Sequence, residues 1–353
     1  MALLSACGSS AADQNDSAPL GAGLEWAKTV STAALERPTQ IPIETPIDGV
    51  VPTGKRIAYV DCGLATCTSY VPVVKEAAAS FNWTVDSIST DGSPESIKNA
   101  WASIFRQNYD GIIYAAVERS VINNELREAE RRGVPVAALN VMEEATDGIT
   151  FIAGDRASAQ SYGEIAAAYV IAESEGQANA VVFNVPGVPI IGPITQTFQD
   201  TMEAKCPTCT SETVDIPVAA IGRDAPDRIV SYLRSHPDTE YVLLTAGGLV
   251  PGLPASLRSV GIQDKKLITP SSDPAVMDMV AKGDVDAAVS FDSYGYFYAM
   301  IDALAREFAG VPQLEHVSVP NWILLSDDIV SRTERFPFVE GMRNQYQELW
   351  RTN

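Results

Sequence analysis

The chain has 353 residues, of which 46% are hydrophobic, and its formal net charge is −20. This length provides for two domains, each with a core of its own. A strongly acidic chain lacks the basic face that nucleic-acid phosphates require, and no run of about 18 apolar residues is present to span a bilayer. The acidity fits an extracytoplasmic setting.

Residues 1–24 are predicted to form an anchored tether. Leu4-Ser5-Ala6-Cys7 has the form of a bacterial lipobox, in which the cysteine is lipidated. The polar stretch that follows is typical of a solvated, disordered linker. The charged part and most of the apolar part of a signal peptide are missing before Cys7, so we expect a trimmed or misassigned start. The alternative is an ordinary disordered tail with a stray cysteine.

Residues 25–54 are predicted to hold one short helix and then a proline-rich extended stretch. From Lys55 a regular alternation begins, with strands at "RIAYVDC", "TVDSIST", "YDGIIYAAV" and "VPVAALN". The segments between them have apolar residues at helical spacing, and Ser93 with Pro94 forms an N-cap and first turn. This β-α-β-α-β-α-β order predicts a parallel sheet with right-handed crossovers.

The same alternation restarts at "ITFIAGD", after the connecting segment "VMEEATDG". Further strands are predicted at "ANAVVFNVP", "SETVDIPV", "TEYVLLTAG", "KLITPSSD" and "DVDAAVSFD". Helices are predicted between them, and the chain ends with the strand "SVPNWILLSD" and a helix near "GMRNQYQELW". We therefore expect two similar α/β units in tandem, the last pieces of which are free to cross back.

Five segments in a fixed order suggest a family. They are "YDGIIYAAVERS", "EAERRGVPVAALN", "FIAGDRASAQSYGEIAAAYV", "LRSHPDTEYVLL" and "SDPAVMDMVAKGDVDAAVSFDSYGYFYAMIDAL". In this order and spacing, from about Lys55 to Asn353, the chain resembles the type I periplasmic binding proteins, the sugar-type substrate-binding lipoproteins of ABC transporters.

The resemblance implies an α/β fold of two Rossmann-like lobes with parallel sheets and a ligand cleft between them. It implies three crossovers, near Val141–Thr150, Phe291–Tyr294 and Val319–Trp322. The expected units are the tether 1–24, an extension 25–54, an N-terminal lobe of 55–142 plus 292–320, and a C-terminal lobe of 143–291 plus 321–353.

Ligand contacts are expected just past the carboxyl ends of the strands, where open α/β sheets bind ligands. The candidate ligand-binding residues are Leu64, Thr66, Tyr70, Glu118, Asn140, Arg223, Thr245, Gly247, Asp273, Phe291 and Asp292, with the loop Pro186–Pro193 beside them. Asp273 matches the cleft aspartate of the family. It equally fits a helix N-cap, Asn140 fits a turn cap, and Phe291 fits the core.

Several positions depart from the sugar-binding pattern of the family. Only Tyr70 lies near the place where two aromatic residues usually follow the first strand. Asn140 and Val141 stand where an aspartate and an arginine are common. These departures predict a pocket less polar than a pentose or hexose site, for a weakly polar, aromatic or polyol-like ligand.

Four cysteines form two local pairs, Cys62 with Cys67 and Cys206 with Cys209. By counting alone they would suit a catalytic loop, a redox pair, a four-thiolate zinc site or disulfides. The expected fold separates the two pairs, and an exported protein is oxidised, so we predict two disulfides and no metal. The Cys62–Cys67 ring would order the binding loop before ligand arrives.

The leading functional prediction is a monomeric, lipid-anchored solute-binding protein at the outer face of the cell membrane or in the periplasm. It would deliver a small molecule to an ABC permease, without a cofactor and without nucleic acid. No HExxH, GxSxG, P-loop or GxGxxG motif occurs, so an enzyme is not expected. The alternatives are a ligand sensor of the same fold that acts on a membrane receptor, a repressor effector domain, and an α/β enzyme.

Overall fold

A computed structural model describes residues 17–312, 316–329 and 337–351. Two six-stranded sheets, each covered by helices on both faces, form two lobes. Strands and helices are numbered in chain order, and Cys7 lies outside the described residues. This is the predicted α/β architecture of two lobes.

The first sheet is parallel throughout and has the strand order β11-β5-β4-β3-β1-β2. Its strands are β1 (Arg56–Val60), β2 (Thr84–Ile88), β3 (Gly111–Ala115), β4 (Val136–Leu139), β5 (Phe151–Ala153) and β11 (His316–Val317). The helices of this lobe are α2 (Ala65–Ser69), α3 (Val71–Ala79), α4 (Pro94–Gln107), α5 (Arg119–Arg131), α11 (Ser293–Ala309) and α12 (Met342–Trp350).

The second sheet has the order β12-β10-β9-β8-β6-β7, and only β12 runs antiparallel. Its strands are β6 (Asn179–Asn184), β7 (Thr210–Asp215), β8 (Tyr241–Leu244), β9 (Lys266–Thr269), β10 (Ala287–Phe291) and β12 (Asn321–Leu324). The helices of this lobe are α1 (Ser17–Ala34), α6 (Arg156–Glu173), α7 (Ile191–Lys205), α8 (Ala225–Ser235), α9 (Leu253–Ser259) and α10 (Pro274–Ala281).

Local chemistry fixes the ends of several helices. The Ser93 hydroxyl accepts a hydrogen bond from the Ser96 amide, which makes it the predicted N-cap of α4. Asp155 caps α6 in the same way through the Ser158 amide. Within α6, Gly163 permits close packing on α7, since a Cβ there would lie 2.4 Å from the Ile194 carbonyl oxygen. Small residues thus set the contact between these two helices.

The first crossover lies later in the chain than predicted. The expected C-terminal lobe began at residue 143, but β5 pairs with β4 in the first sheet, with Leu139 opposite Ala153. The chain leaves this sheet at Gly154, whose φ of +69° suits glycine. The other two crossovers follow β10, near Asp292, and follow β11, before β12 begins at Asn321, as predicted.

Both ends of the described chain also differ from the expected boundaries. Helix α1 begins at Ser17, within the expected tether, and packs on α6 and α7 because its Ala27 and Ala34 belong to their core. Helix α12 was expected on the C-terminal lobe, but Tyr346 and Trp350 are buried in the core of the first lobe. Apolar burial decides both placements.

The segment that follows α1 joins the two ends of the chain on the first lobe. The Ile47 amide donates to the Leu349 carbonyl over 2.9 Å, and the Glu340 amide donates to the Pro38 carbonyl over 3.2 Å. Residues 35–54 therefore connect a helix on the second lobe to a surface of the first lobe. This is a further link between the lobes, in addition to the three crossovers.

Candidate ligand-binding cleft

A cavity of about 260 Å³ lies between the two lobes. Most of the residues that line it lie at or past the carboxyl ends of β1, β3 and β4 in the first sheet and of β6, β7, β8, β9 and β10 in the second. Eight of the eleven residues predicted from the sequence line this cavity: Leu64, Thr66, Tyr70, Asn140, Thr245, Gly247, Asp273 and Phe291.

The loop after β1 is held rigidly on the first-lobe side of the cavity. A disulfide joins Cys62 to Cys67, with 5.8 Å between their Cα atoms, and both residues line the cavity. The Asp61 carboxylate accepts hydrogen bonds from the Gly63 amide and the Thr68 hydroxyl. The predicted stapled loop is therefore present, and the staple forms part of the wall itself.

Asp273 carries the only charge among the described residues that line the cavity. It occupies the N-cap position of α10, but its side chain makes no capping hydrogen bond. Its carboxylate accepts instead from the Thr66 hydroxyl of the other lobe, over 3.3 Å. Burial raises the pKa of the Asp273 carboxyl, and hydrogen bonds from Thr66 and Ser271 act in the opposite direction.

Gly247 leaves room for this carboxylate. A Cβ at Gly247 would lie 2.4 Å from the Ser271 hydroxyl oxygen and 2.7 Å from Asp273 Oδ2. Ser271 in turn accepts a hydrogen bond from the Asp273 amide over 3.1 Å. The glycine therefore lets the loop after β8 approach the aspartate closely, which explains its place in the wall.

Asn140 ends β4 in a left-handed backbone conformation, with φ of +54°. Its backbone amide donates to the Ala153 carbonyl over 2.9 Å, which ties the residue to β5. The side-chain Oδ1 is buried and has no hydrogen-bond partner. A buried acceptor left in this state costs about 1–3 kcal/mol. This oxygen packs against Gly154, where a Cβ would lie 2.3 Å from it, while the residue as a whole lines the cavity.

The second lobe supplies a continuous aliphatic wall. Val188, Ile190, Ile191 and Ile194 lie in the loop after β6 and the start of α7, and Val218 and Ile221 lie after β7. The predicted loop Pro186–Pro193 contains three of these residues. Ile194 was not predicted, because the sequence does not show which face of α7 meets the cleft. Val218 and Ile221 were not predicted either, since only Arg223 was chosen from the segment after β7.

Aromatic side chains close the cavity near the second crossover. The Phe291 ring lies edge-on to Tyr162, with 5.6 Å between ring centroids. The Tyr162 and Tyr296 hydroxyl oxygens are 3.1 Å apart and buried, so these hydroxyls satisfy each other. Tyr162 was not predicted, since it lies in the middle of α6 where a tyrosine indicates ordinary packing.

Three predicted residues do not line the cavity. Glu118 is the exposed N-cap residue of α5, where its carboxylate accepts from the Ser120 hydroxyl. Arg223 is exposed in the turn before α8. Asp292 is buried and caps α11 by accepting a hydrogen bond from the Gly295 amide over 2.7 Å. All three residues follow a strand, as predicted. The side chains of Glu118 and Arg223 are exposed to solvent, and that of Asp292 bonds to its own helix, so none of them faces the cavity.

A sequence profile described as a periplasmic binding protein domain matches residues 68–311. The chain belongs to this family. The match spans parts of both lobes and most of the strand ends that surround the cavity. The comparison with curated protein sequences gives no match.

Solved structures of two transporter solute-binding proteins, and of a protein described as a transcriptional regulator, share the fold. A 5-methylthioribose transporter solute-binding protein from Thermotoga lettingae matches with a TM-score of 0.72 and 16% identity, over 88% of this chain and 100% of its own. A solute-binding protein from Agrobacterium vitis, bound to α-D-tagatopyranose, matches with a TM-score of 0.70 and 19% identity, over 81% of this chain and 100% of its own. A protein from Bacteroides fragilis described as a LacI transcriptional regulator matches with a TM-score of 0.69 and 14% identity, over 78% of this chain and 99% of its own.

These similarities show that this periplasmic binding protein has the fold of extracytoplasmic solute-binding proteins. No helix among its described residues is long and apolar enough to cross a membrane. Those residues also contain no group of three or more His, Cys, Asp or Glu side chains arranged to hold a metal ion.

Proposed function

We propose that this protein captures a small molecule in the interlobe cavity and delivers it to an ABC importer. The observation that carries the proposal is a cavity with walls from both lobes, bridged by the Thr66–Asp273 hydrogen bond. Membership of the periplasmic binding protein domain family supports it. The ligand contacts would be made by the eight predicted residues that line the cavity.

Binding would act by closing the lobes. Two rigid sheets joined by short crossovers move as bodies about those crossovers. A ligand that touches both walls stabilises the closed form more than the open form, so it shifts the population toward closure. An importer that binds the closed form would then distinguish loaded from empty protein.

We further propose that Cys7 carries a lipid that holds the protein at the outer face of the cell membrane. The support is the lipobox Leu4-Ser5-Ala6-Cys7 and the polar stretch behind it. Metabolic labelling with an alkyne fatty acid should mark the protein, and the Cys7→Ser variant should lose the label and leave the membrane fraction. A labelled Cys7→Ser protein would contradict the anchor.

The ligand is expected to be a single small molecule. The related structures carry monosaccharide-sized ligands, a tagatopyranose and a methylthioribose. The cavity of this chain, at about 260 Å³, is below the roughly 300–1,000 Å³ of sites for drug-sized ligands. We propose a sugar-like, polyol or weakly polar metabolite, bound by a monomer.

Three measurements test the function together. A thermal-shift screen of small solutes should give a hit that raises the melting temperature, because a ligand that binds only the native state stabilises it. Small-angle scattering with that solute should show a smaller radius of gyration. The partner ABC importer, in proteoliposomes, should then hydrolyse ATP faster with the loaded protein than with the empty protein.

Other results would separate the alternatives. Chemical turnover of the bound solute would indicate an enzyme and overturn the proposal. Closure without any stimulation of the importer would indicate a sensor of the same fold. Absence of binding by every solute class would contradict a solute site in the cleft.

A further inference from the structure

The wall of the cavity is divided between two kinds of surface. The aliphatic wall, defined as Val188, Ile190, Ile191, Ile194, Val218 and Ile221, comes entirely from the second lobe. Polar atoms gather elsewhere, at the ends of β1, β4 and β9, where Thr66, Asn140 and Asp273 lie. A ligand with hydroxyl groups on every side would have to bury some of them against the aliphatic wall. Those hydroxyl groups would lose their hydrogen bonds to water without gaining new ones, which costs free energy.

The polar part of the cavity offers acceptors. Asn140 Oδ1 is buried and unpartnered, and the Asp273 carboxylate makes no capping bond to its own helix. The Thr66 contact with Asp273, at 3.3 Å, is longer than an ordinary O–H···O hydrogen bond. The Asp273 carboxylate therefore lies on the cavity with spare capacity for donors, whereas Asn140 Oδ1 is a spare acceptor closed off from the cavity surface.

The charge of the cavity excludes one class of ligand. No lysine or arginine is present among the described residues that line it, and Asp273 is its single charged side chain. A carboxylate or phosphate would be buried next to a like charge with no cation to balance it, which is strongly unfavourable. A neutral or cationic ligand meets no such penalty.

We infer that the ligand is a compact amphipath, with an alcohol or ammonium head that donates to Asp273 and an apolar body against the aliphatic wall. This inference rests on the proposed function and, of the ligand classes proposed there, selects the weakly polar one. The cavity volume of about 260 Å³ lies just below that of sites for drug-sized ligands, roughly 300–1,000 Å³, which fits a small ligand.

The first experiment titrates the full-length protein with four matched probe classes by calorimetry. The probes are phenyl and cyclohexyl alcohols, the corresponding primary amines, the corresponding carboxylates, and unmodified pentoses and hexoses. Binding is expected among the alcohols or the amines and not among the carboxylates or sugars. A carboxylate or an unmodified sugar as the tightest ligand would overturn the inference while leaving the solute-binding function intact.

Binding by none of the four classes would count against both the inference and the cleft as a solute site. The alcohol and the amine are separated by Asp273→Asn, which keeps an acceptor oxygen and removes the charge. An ammonium ligand is expected to lose at least about tenfold in affinity in this variant, because the charge-assisted bond is lost. An alcohol is expected to lose only a few-fold.

The second experiment tests the aliphatic wall. Ile190→Ala and Ile221→Ala remove methyl and methylene groups at two separate places in the wall, and each is expected to weaken the alcohol or amine hit by about tenfold or more. Val260→Ala, at a residue that is 44% exposed and does not line the cavity, is the matched control and is expected to change nothing. Unchanged affinity in both isoleucine variants, each folded by circular dichroism, would remove the wall from the site.

Discussion

The Thr66 hydroxyl donates a hydrogen bond to the Asp273 carboxylate across the cleft, over 3.3 Å. These residues belong to different lobes, so the bond favours the conformation in which the lobes are close. Removal of the donor in Thr66→Val should disfavour that conformation by about 1 kcal/mol, or about fivefold in population. Small-angle scattering of the ligand-free protein should show a larger radius of gyration.

Ligand affinity should fall with the same variant, because apparent affinity scales with the fraction of protein in the binding-competent form. Thr53→Val alters an exposed threonine before β1 and serves as the control, with no expected change in either quantity. An unchanged radius of gyration and dissociation constant in Thr66→Val would show that this bond does not hold the lobes.

Asn140 allows its amide group to be tested without damage to the backbone. Its φ of +54° is a conformation that glycine adopts more easily, so Asn140→Gly removes the side chain without added strain. Asn140 lines the cavity, so loss of its side chain should weaken ligand binding by about 1 kcal/mol, measured by calorimetry. Asn108→Gly, at an exposed helix end with φ of +52°, is the matched control for the backbone effect. Equal affinities in the two variants would remove Asn140 from the site.

Removal of each disulfide in turn tests whether the stapled loop contributes to ligand binding. The Cys206–Cys209 disulfide, which lies outside the cavity, is the control for the Cys62–Cys67 disulfide. Chain-entropy arguments assign about 2 kcal/mol of stability to each of these short rings, of sequence separation 5 and 3. Cys62→Ser with Cys67→Ser should therefore destabilise the protein about as much as Cys206→Ser with Cys209→Ser in urea titrations. Only the first pair should also weaken ligand binding, because only its residues line the cavity. Equal effects on affinity would show that the staple serves stability alone.

The buried carboxyl of Asp292, near the second crossover, should make the free energy of unfolding depend on pH. Burial raises the pKa of this carboxyl from its ordinary 3.8 to about 6, although Arg37 and Arg343 lower it. Between about pH 4 and pH 6 the folded state retains a proton that the unfolded state has released. The free energy of unfolding therefore falls, relative to a chain without this group, as the pH rises through that window.

The reference chain for this measurement is Asp292→Asn, which keeps an acceptor for the Gly295 amide. The free energy of unfolding of the variant minus that of the wild type should grow by about 2–3 kcal/mol between pH 4 and pH 7. Other titrating groups cancel in the difference. Urea titrations at pH 4, 5, 6 and 7 measure this difference in the free energy of unfolding. A difference that stayed constant over these pH values would contradict the raised pKa of Asp292.

The sequence predicts the two-lobe fold because local patterns alternate regularly, and it predicts much of the cleft because ligand sites follow strand ends. The lobe to which β5 belongs could not be predicted, since Phe-Ile-Ala would suit a buried strand in either sheet and the pairing with β4 is non-local. Helical cavity residues such as Tyr162 and Ile194 depend on how α6 and α7 are oriented, which the sequence does not show. Glu118 and Arg223 follow strands too, but their side chains are exposed.

The attachment of α1 to the second lobe gives a prediction about two glycines in one helix. A Cβ at Gly23 would lie 1.9 Å from the Lys205 carbonyl oxygen of α7, whereas a Cβ at Gly21 would meet nothing within 4 Å. Gly21→Ala should stabilise the protein by up to about 1 kcal/mol, because alanine restricts the unfolded chain and favours helix. Gly23→Ala should destabilise it, because a backbone atom cannot move aside as a side chain can.

The two variants change the same residue type to the same residue, two positions apart, so helix propensity cancels in their comparison. Thermal unfolding should give Gly21→Ala a higher melting temperature than Gly23→Ala. Limited proteolysis should also cut α1 faster in Gly23→Ala, because a helix displaced from α6 and α7 exposes its backbone. Equal melting temperatures and equal cleavage rates would show that α1 is not packed on the second lobe, and residues 35–54 would then not link the two lobes.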